Sequence, residues 1–257
     1  MEQADDIDVR VADQVAWVTI NRPQRMNALA RATFARLVEV SLELDQDPGV
    51  KAVVYTGAGE RAFSAGVDLK ELDAAGRMTH PMGGPARNLN EVVLEMATPT
   101  IAAINGVAAG GGCELALACD IRVAASTARI GLPEARVGMG ANFGSVVLPQ
   151  LIPRGVALEL LYTGDLIDMA LAHRLGLVNH VFEPAELMAQ TAGLARRIAD
   201  NAPLSVQRMK AVAFKSIGLP TAAALRLSVG PDPYNSEDRL EGARAFVEKR
   251  KPRFQGR

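Results

Sequence analysis

Asn105-Gly106-Val107-Ala108-Ala109-Gly110-Gly111-Gly112-Cys113-Glu114-Leu115-Ala116-Leu117-Ala118-Cys119-Asp120 is the stretch on which the fold turns. A strand runs into three consecutive glycines, and an apolar, helix-forming run begins at once. Glycines without Cβ atoms let a ligand come up against the main chain. The unpaired N–H groups and the positive end of the starting helix then face that ligand. Such a turn stabilises negative charge, either on a bound phosphate or on an oxygen that becomes anionic during a reaction. A merely tight strand-to-helix turn is the alternative, and it leaves unexplained why Glu114 places a carboxyl inside an otherwise apolar helix.

Working upstream, residues 15–20, 50–56 and 100–104 are short, apolar and rich in β-branched side chains, as buried strands are. Residues 121–125 read the same way. Between the first two lies a helical run over residues 30–45, with Phe34, Leu37, Val38 and Leu42 at near-helical spacing, closed by Asp47-Pro48-Gly49. Strands separated by such helices predict βα units and a sheet that is at least partly parallel. Downstream the character changes near Pro153. Leu187, Thr191, Leu194, Ala195 and Ile198 form one stripe of a helix entered at Pro184; Pro203 and Pro220 open two more, and Ser236 caps a last helix over residues 237–250. This second half is expected to be helical, without strands. Residues 76–86, dense in Gly and Pro, predict a surface loop.

Twenty residues beyond Glu114 comes Gly131-Leu132-Pro133-Glu134-Ala135-Arg136-Val137-Gly138, which puts Glu134 on a loop or a first helical turn. Two carboxyls beside one anion-stabilising turn could divide acid and base work. The alternative is a solvated Glu134. Gly57-Ala58-Gly59-Glu60-Arg61-Ala62 follows a strand in a dinucleotide-like pattern, but the helix, second strand and acidic residue that should come next are missing, and a tight turn explains the glycines equally well.

Several functions are excluded by composition and spacing. The 257 residues carry 28 basic and 29 acidic side chains and only 4 % aromatics, so neither a basic field nor a stacking platform for nucleic acid is expected. No run of about 18 apolar residues spans a membrane, and acidic residues 1–10 lack the apolar or Arg-rich signature of a leader. His80, His173 and His180 have no metal-ligand spacing, and no Gly-x-Ser-x-Gly nucleophile elbow is present. Cys113 and Cys119, six apart, lie about 9 Å apart if both are on one helix, too far for a disulfide; a reducing cytoplasm is the expected location.

With these residues in view, the chain resembles the enoyl-CoA hydratase/isomerase, or crotonase, superfamily, and the enoyl-CoA hydratases most. The likeness runs nearly end to end, through Asn21-Arg22-Pro23-Gln24-Arg25-Met26-Asn27-Ala28-Leu29, Phe63-Ser64-Ala65-Gly66-Val67-Asp68-Leu69-Lys70-Glu71, the segment 105–120, Pro133-Glu134, Thr163-Gly164, Gly176-Leu177-Val178 and Ala245-Phe246-Val247-Glu248-Lys249-Arg250. It implies an α/β fold: a crotonase-like spiral of ββα units over residues 1–195 and a helical C-terminal trimerisation region over residues 196–257. It also implies a homotrimer or a hexamer built as a dimer of trimers. The implied substrate is an acyl-CoA thioester, with coenzyme A as part of the substrate and no metal or redox cofactor. By motif position, the backbone N–H groups of Val67 and Gly111 bind the thioester oxygen of an enolate, each worth roughly 2.7–4 kcal/mol of barrier. Glu114 is implied as base toward water and Glu134 as acid toward the α-carbon, roles that could be exchanged.

Arg22, Arg25, Ala65, Asp68, Leu69, Lys70, Phe246 and Lys249 fall at positions associated with the substrate and its coenzyme A. Lys249, Arg250, Lys251, Arg253 and Arg257 form a basic tail that suits phosphates or is simply solvated. One departure stands out. Where hydratases continue with Gly-x-x-Pro-Gly-x-Gly-Gly, this chain has Gly138-Met139-Gly140-Ala141-Asn142-Phe143-Gly144-Ser145. Asn142 cannot ionise, so it either hydrogen-bonds an acyl group or caps the following helix, while Met139 and Phe143 reshape the acyl pocket. The expected activity is hydration of a 2-enoyl-CoA. The rivals are a Δ3,Δ2-enoyl-CoA isomerase or another crotonase-type reaction, and a non-catalytic acyl-CoA- or RNA-binding protein.

Overall fold

The computed structural model describes residues 6–71, 82–83 and 87–257. The chain begins with a hairpin, β1 (Ile7–Ala12) against β2 (Val15–Ile20), turned through Asp13 and Gln14, both in the left-handed region. A 3-10 turn (Pro23–Arg25) leads to α1 (Arg31–Gln46), then β3 (Ala52–Gly57) and β4 (Ala62–Ser64). Next come α2 (Leu89–Glu95), β5 (Thr100–Ile104), β6 (Val107–Ala109), α3 (Gly111–Ala118), β7 (Ile121–Ala125) and β8 (Arg129–Gly131). A second 3-10 turn (Pro133–Val137), α4 (Asn142–Leu151) and α5 (Arg154–Thr163) follow. The chain closes with β9 (Leu166–Asp168), α6 (Met169–Arg174), β10 (His180–Phe182), α7 (Leu187–Ala199), α8 (Pro203–Lys215), α9 (Thr221–Ala224) and α10 (Glu237–Val247).

The strands make two sheets, one ordered β1-β2-β3-β5-β7-β10 and one ordered β4-β6-β8-β9. After the hairpin, β2, β3, β5, β7 and β10 pair in parallel, and in the second sheet β4, β6 and β8 are parallel too. β3 and β5 are buried along their whole length, so they read as continuous apolar runs rather than alternating ones. Their faces bury Val53, Tyr55, Ile101 and Ile104 against Leu37 and Val40 of α1 and Leu187 and Ala195 of α7 in one core. Tyr55 keeps its hydroxyl satisfied inside that core by sharing a hydrogen bond with Ser41.

The expectation of a strand-free second half is corrected. β9 pairs antiparallel with β8, and β10 adds to β7 in parallel. Each is three residues long, too short for alternation to register in the sequence, and each is held by a neighbour rather than by its own propensity. The helix expected from Pro184 starts at Leu187, because residues 183–186 close a turn through Glu186 N–H to Glu183 O. Ser236 caps α10 as expected, its hydroxyl accepting from Arg239 N–H. The expected loop at 76–86 lies outside the described residues except for 82–83.

Three polar side chains fix the route of the chain near the site. Arg122 donates to the carbonyls of Ala116, Cys119 and Leu177, tying the end of α3 to the start of β7 and to the segment before β10. Asn27 donates to the carbonyls of Ala58 and Ala62, and Asn105 accepts from Gly57 N–H and donates to Gly59 O. These amides and the close packing explain the glycines of the 57–62 turn. A Cβ at Gly57 would sit 2.4 Å from the Ala62 carbonyl oxygen, so the pattern is a packed turn and not a dinucleotide site.

Candidate active site

Three neighbouring parallel strands end at the same edge of the smaller sheet. β4 runs into Ala65, Gly66 and Val67; β6 into Gly110, Gly111 and, one helical turn on, Glu114; β8 into Pro133 and Glu134. Ligands bind outside the carboxyl ends of such strands, because loops diverge there and helix N-termini point inward. A cavity of 370 Å³ lies at this edge, lined by Ala65, Val67, Leu69, Gly110, Gly111, Glu114, Glu134 and Asn142. Its apolar walls are Phe34, Leu89, Val137 and Met139, and Met82, Asn90 and Arg136 also line it.

The main chain on two sides of the cavity is pressed together. A Cβ added to Gly66 would come 2.7 Å from Ala109 O and 2.9 Å from Gly111 N. Gly66 also has φ +86°, where side chains are strained. Leu29 bridges on either side of Val67, its N–H donating to Gly66 O and its carbonyl accepting from Asp68 N–H, which leaves the Val67 N–H off that ladder. Gly111 is the first residue of α3, so its N–H is one of the donors a helix start leaves open. Glycine is required at 112 as well: a Cβ there would meet Ser64 O at 2.3 Å.

The two carboxyls share the cavity but differ in environment. Glu114 is held by the protein. Its Oε1 accepts from Gly144 N–H at 2.9 Å, and its Oε2 from the Asn90 amide at 3.3 Å. Burial raises its pKa, and the N–H groups of Gly144 and Phe143 and the Asn90 amide pull it back down. Glu134 sits on the 3-10 turn that Pro133 starts and Gly138, at φ +71°, ends. Its Oε2 is buried without a partner among the described residues. Burial, with the Glu114 charge added to it, pushes the Glu134 carboxyl up to about 7. One acid is anchored and kept ionisable, and the other holds its proton near neutral pH. That is the division of labour a base and an acid need.

This cost has a measurable sign. A carboxyl raised in the folded state gives stability below about pH 4.5 that is lost as pH rises through about 7. Glu134→Gln should therefore melt higher than the parent at pH 8, with the gap closing toward pH 4.5. Thermal unfolding at the two pH values measures it, and equal gaps at both would show that Glu134 carries no folded-state burden.

The other expected residues separate into two groups. Ala65, Val67, Leu69, Gly111, Glu114, Glu134 and Asn142 come together in the cavity. Arg22, Arg25, Asp68, Lys70, Phe246 and Lys249 do not line it. The Arg22 guanidinium pairs with Asp6 and with Asp68 at 3.4 Å and donates to Ala28 O, so Arg22 and Asp68 brace the segment before Val67. Arg25 and Lys70 are exposed, and Phe246 is 86 % exposed on α10. Asn142 is not the helix cap: Ala141 holds that position with no side-chain cap, and Asn142 is the first residue of α4, facing the cavity. Asn90 was not legible in the sequence, since a single Asn in the apolar run of α2 carries no spacing signal.

A larger hollow of 970 Å³ lies between α10 and the C-terminal tail. Three carboxyls line it and each is already engaged, Glu241 by Arg250, Glu237 by Arg257 and Asp238 by the N–H groups of Gln255 and Gly256. The chemistry therefore belongs to the smaller cavity. Among the described residues no helix is long and apolar enough to cross a membrane.

Known proteins are similar to this chain along nearly its whole length. The family model described as enoyl-CoA hydratase/isomerase matches residues 10–257. A crotonyl-CoA hydratase of Syntrophomonas wolfei is 37 % identical, covering 97 % of this chain and 98 % of its own. A short-chain-enoyl-CoA hydratase of Clostridium acetobutylicum is 40 % identical over 93 % of each chain. The crystal structure of an enoyl-CoA hydratase from Bacillus anthracis superposes with a TM-score of 0.90 at 36 % identity, covering 98 % of this chain and 100 % of that one.

Proposed function

The chain belongs to the enoyl-CoA hydratase/isomerase family, and from that premise we propose that it is an enoyl-CoA hydratase, adding water across the double bond of a 2-enoyl-CoA thioester. The observation that carries the reading is the convergence of Glu114, Glu134 and the open amides at Val67 and Gly111 on one cavity. The thioester oxygen sits between the two N–H groups. Glu114 takes a proton from water, whose oxygen bonds to C3 of the acyl group. The C2=C3 electrons move toward the carbonyl and form an enolate whose charge rests on the thioester oxygen. Glu134 then delivers its proton to C2, the enolate collapses to the thioester, and 3-hydroxyacyl-CoA results. Proton exchange afterwards returns Glu114 to carboxylate and Glu134 to acid.

This step draws only on side chains and main-chain amides, with coenzyme A arriving as part of the substrate. Phe34, Leu89, Val137 and Met139 suit the apolar acyl chain. The test is loss of absorbance of the conjugated thioester across short, long and aromatic 2-enoyl-CoAs. Conversion of a 3-enoyl-CoA to the 2-enoyl isomer without uptake of water would move the reading to an isomerase.

We further propose that the chain acts as a homotrimer or dimer of trimers, assembled through its C-terminal helices. Met209 on α8, Leu225 after α9 and Phe246 and Val247 on α10 are 63 %, 81 %, 86 % and 79 % exposed, more apolar surface than one chain leaves to water without a partner. Light scattering on the purified protein should give the mass of three or six chains of 27.3 kDa, and a single-chain mass would overturn it. The cytoplasm is the proposed location, in keeping with two free, buried thiols.

A further inference from the structure

We propose that Asn90 is a positioning residue of the water site: its amide N–H holds the Glu114 carboxylate in place and favours its charged form. The inference rests on the hydratase reading and adds a residue to it.

Asn90 stands on α2, which is fixed at its start by a reciprocal cap between Asn88 and Glu91. Its neighbours Leu89, Val92 and Val93 are buried, and Asn90 itself is only 6 % exposed, yet it lines the cavity. The amide nitrogen reaches Glu114 Oε2 at 3.3 Å. Turning the amide over would set its oxygen against a carboxylate oxygen, so the donor faces Glu114 and the acceptor is the atom left over. That acceptor, Oδ1, is buried with no partner among the described residues. Buried polar groups are nearly always satisfied, so the bond to Glu114 is the contact that offsets burying this amide among the described residues.

Water that gives up a proton to Glu114 needs that carboxylate charged and aimed, and the Asn90 N–H, donating to Oε2, serves both needs. The groups facing Glu114 are few. Glu134 and Arg136 come from the 3-10 turn, the buried Cys113 thiol from its own helix, and the Gly144 N–H from α4. Glu91 on α2 is engaged with the Asn88 N–H. Asn90 is thus the side-chain donor that favours the charged form of the base.

The test compares Asn90→Leu, of similar size with neither donor nor acceptor, with Asn90→Asp, which keeps the shape and the acceptor and loses the donor. For a 2-enoyl-CoA that the parent hydrates, Asn90→Leu should lower kcat about 10–100-fold with KM within about threefold. The acid limb of kcat/KM should move to higher pH by about one unit, because Glu114 loses a donor to its charged form. Asn90→Asp should move that limb at least as far, by setting a second carboxylate beside Glu114. A residue that merely packs α2 would reduce the yield of folded enzyme and leave the limb in place. The inference is overturned by a folded Asn90→Leu with kcat within threefold of the parent and an unmoved limb. If Asn90→Leu fails to fold, an unmoved limb in Asn90→Asp overturns it alone. A parent that hydrates no 2-enoyl-CoA would instead overturn the hydratase reading.

Discussion

Glu114→Gln and Glu134→Gln should each lower kcat for hydration of crotonyl-CoA by about 10²–10⁴-fold, the span of one general acid or base, while binding of the thioester survives. Glutamine keeps the shape and most of the packing of either side chain but can neither take a proton from water nor deliver one to C2. The two losses should be far from additive, because both groups serve one proton circuit. The pH profile separates them. In the parent, kcat/KM rises as Glu114 loses its proton and falls above about pH 7 as Glu134 loses its own. Glu134→Gln should leave a residual rate without that alkaline fall, and Glu114→Gln a residual rate without the acid rise. Steady-state kinetics on crotonyl-CoA between pH 5 and 9 decides it. A variant with parental turnover would remove that residue from the proton circuit, and a parental profile in both would sink the acid–base pair.

Much of the site was legible because it is carried by residue types that few other needs explain. Three glycines at a strand-to-helix junction, and a carboxyl one turn later, point to an anion-stabilising turn with an acid beside it from residue type alone. The four longer central strands, β2, β3, β5 and β7, were legible for a similar reason: burial makes each a short run dominated by apolar and β-branched residues. What was hidden is what tertiary contact alone creates. β4, β6, β8, β9 and β10 are three residues each, and only their neighbours make them strands. Yet three of these short strands place Val67, Gly111 and Glu134, so the elements that build the site are the ones local sequence describes least. Arg22 and Asp68 show another limit: their motif position drew attention to substrate, while the ion pair by which they brace the loop that carries Val67 spans 46 residues and leaves no local spacing signal. Asn142 was half legible. Its place at the pocket held, while its capping role gave way to Ala141.

Gly66→Ala should cost about 10²–10³-fold in kcat, the loss expected when one donor of an oxyanion site is put out of reach. The argument is steric. The added methyl would meet Ala109 O at 2.7 Å and Gly111 N at 2.9 Å, both main-chain atoms, so no rotamer change relieves the contact. The turn after β4 and the turn after β6 must separate, and the N–H groups of Val67 and Gly111 can then no longer both lie about 2.7–3.1 Å from one thioester oxygen. Because the enolate oxygen needs those donors more than the ground-state carbonyl does, kcat falls further than substrate affinity. Part of any effect at Gly66 comes from its φ of +86°, which costs a side chain about 1–2 kcal/mol of stability. Gly176→Ala isolates that part: its φ is +76°, nothing lies within 4 Å of the added methyl, and it is remote from the cavity. The control should melt lower than the parent yet hydrate at the parental rate, whereas Gly66→Ala should lose turnover even at temperatures where it is fully folded. A folded Gly66→Ala within about threefold of parental kcat would mean that the thioester oxygen is not held between these two turns, and the enolate would need another home.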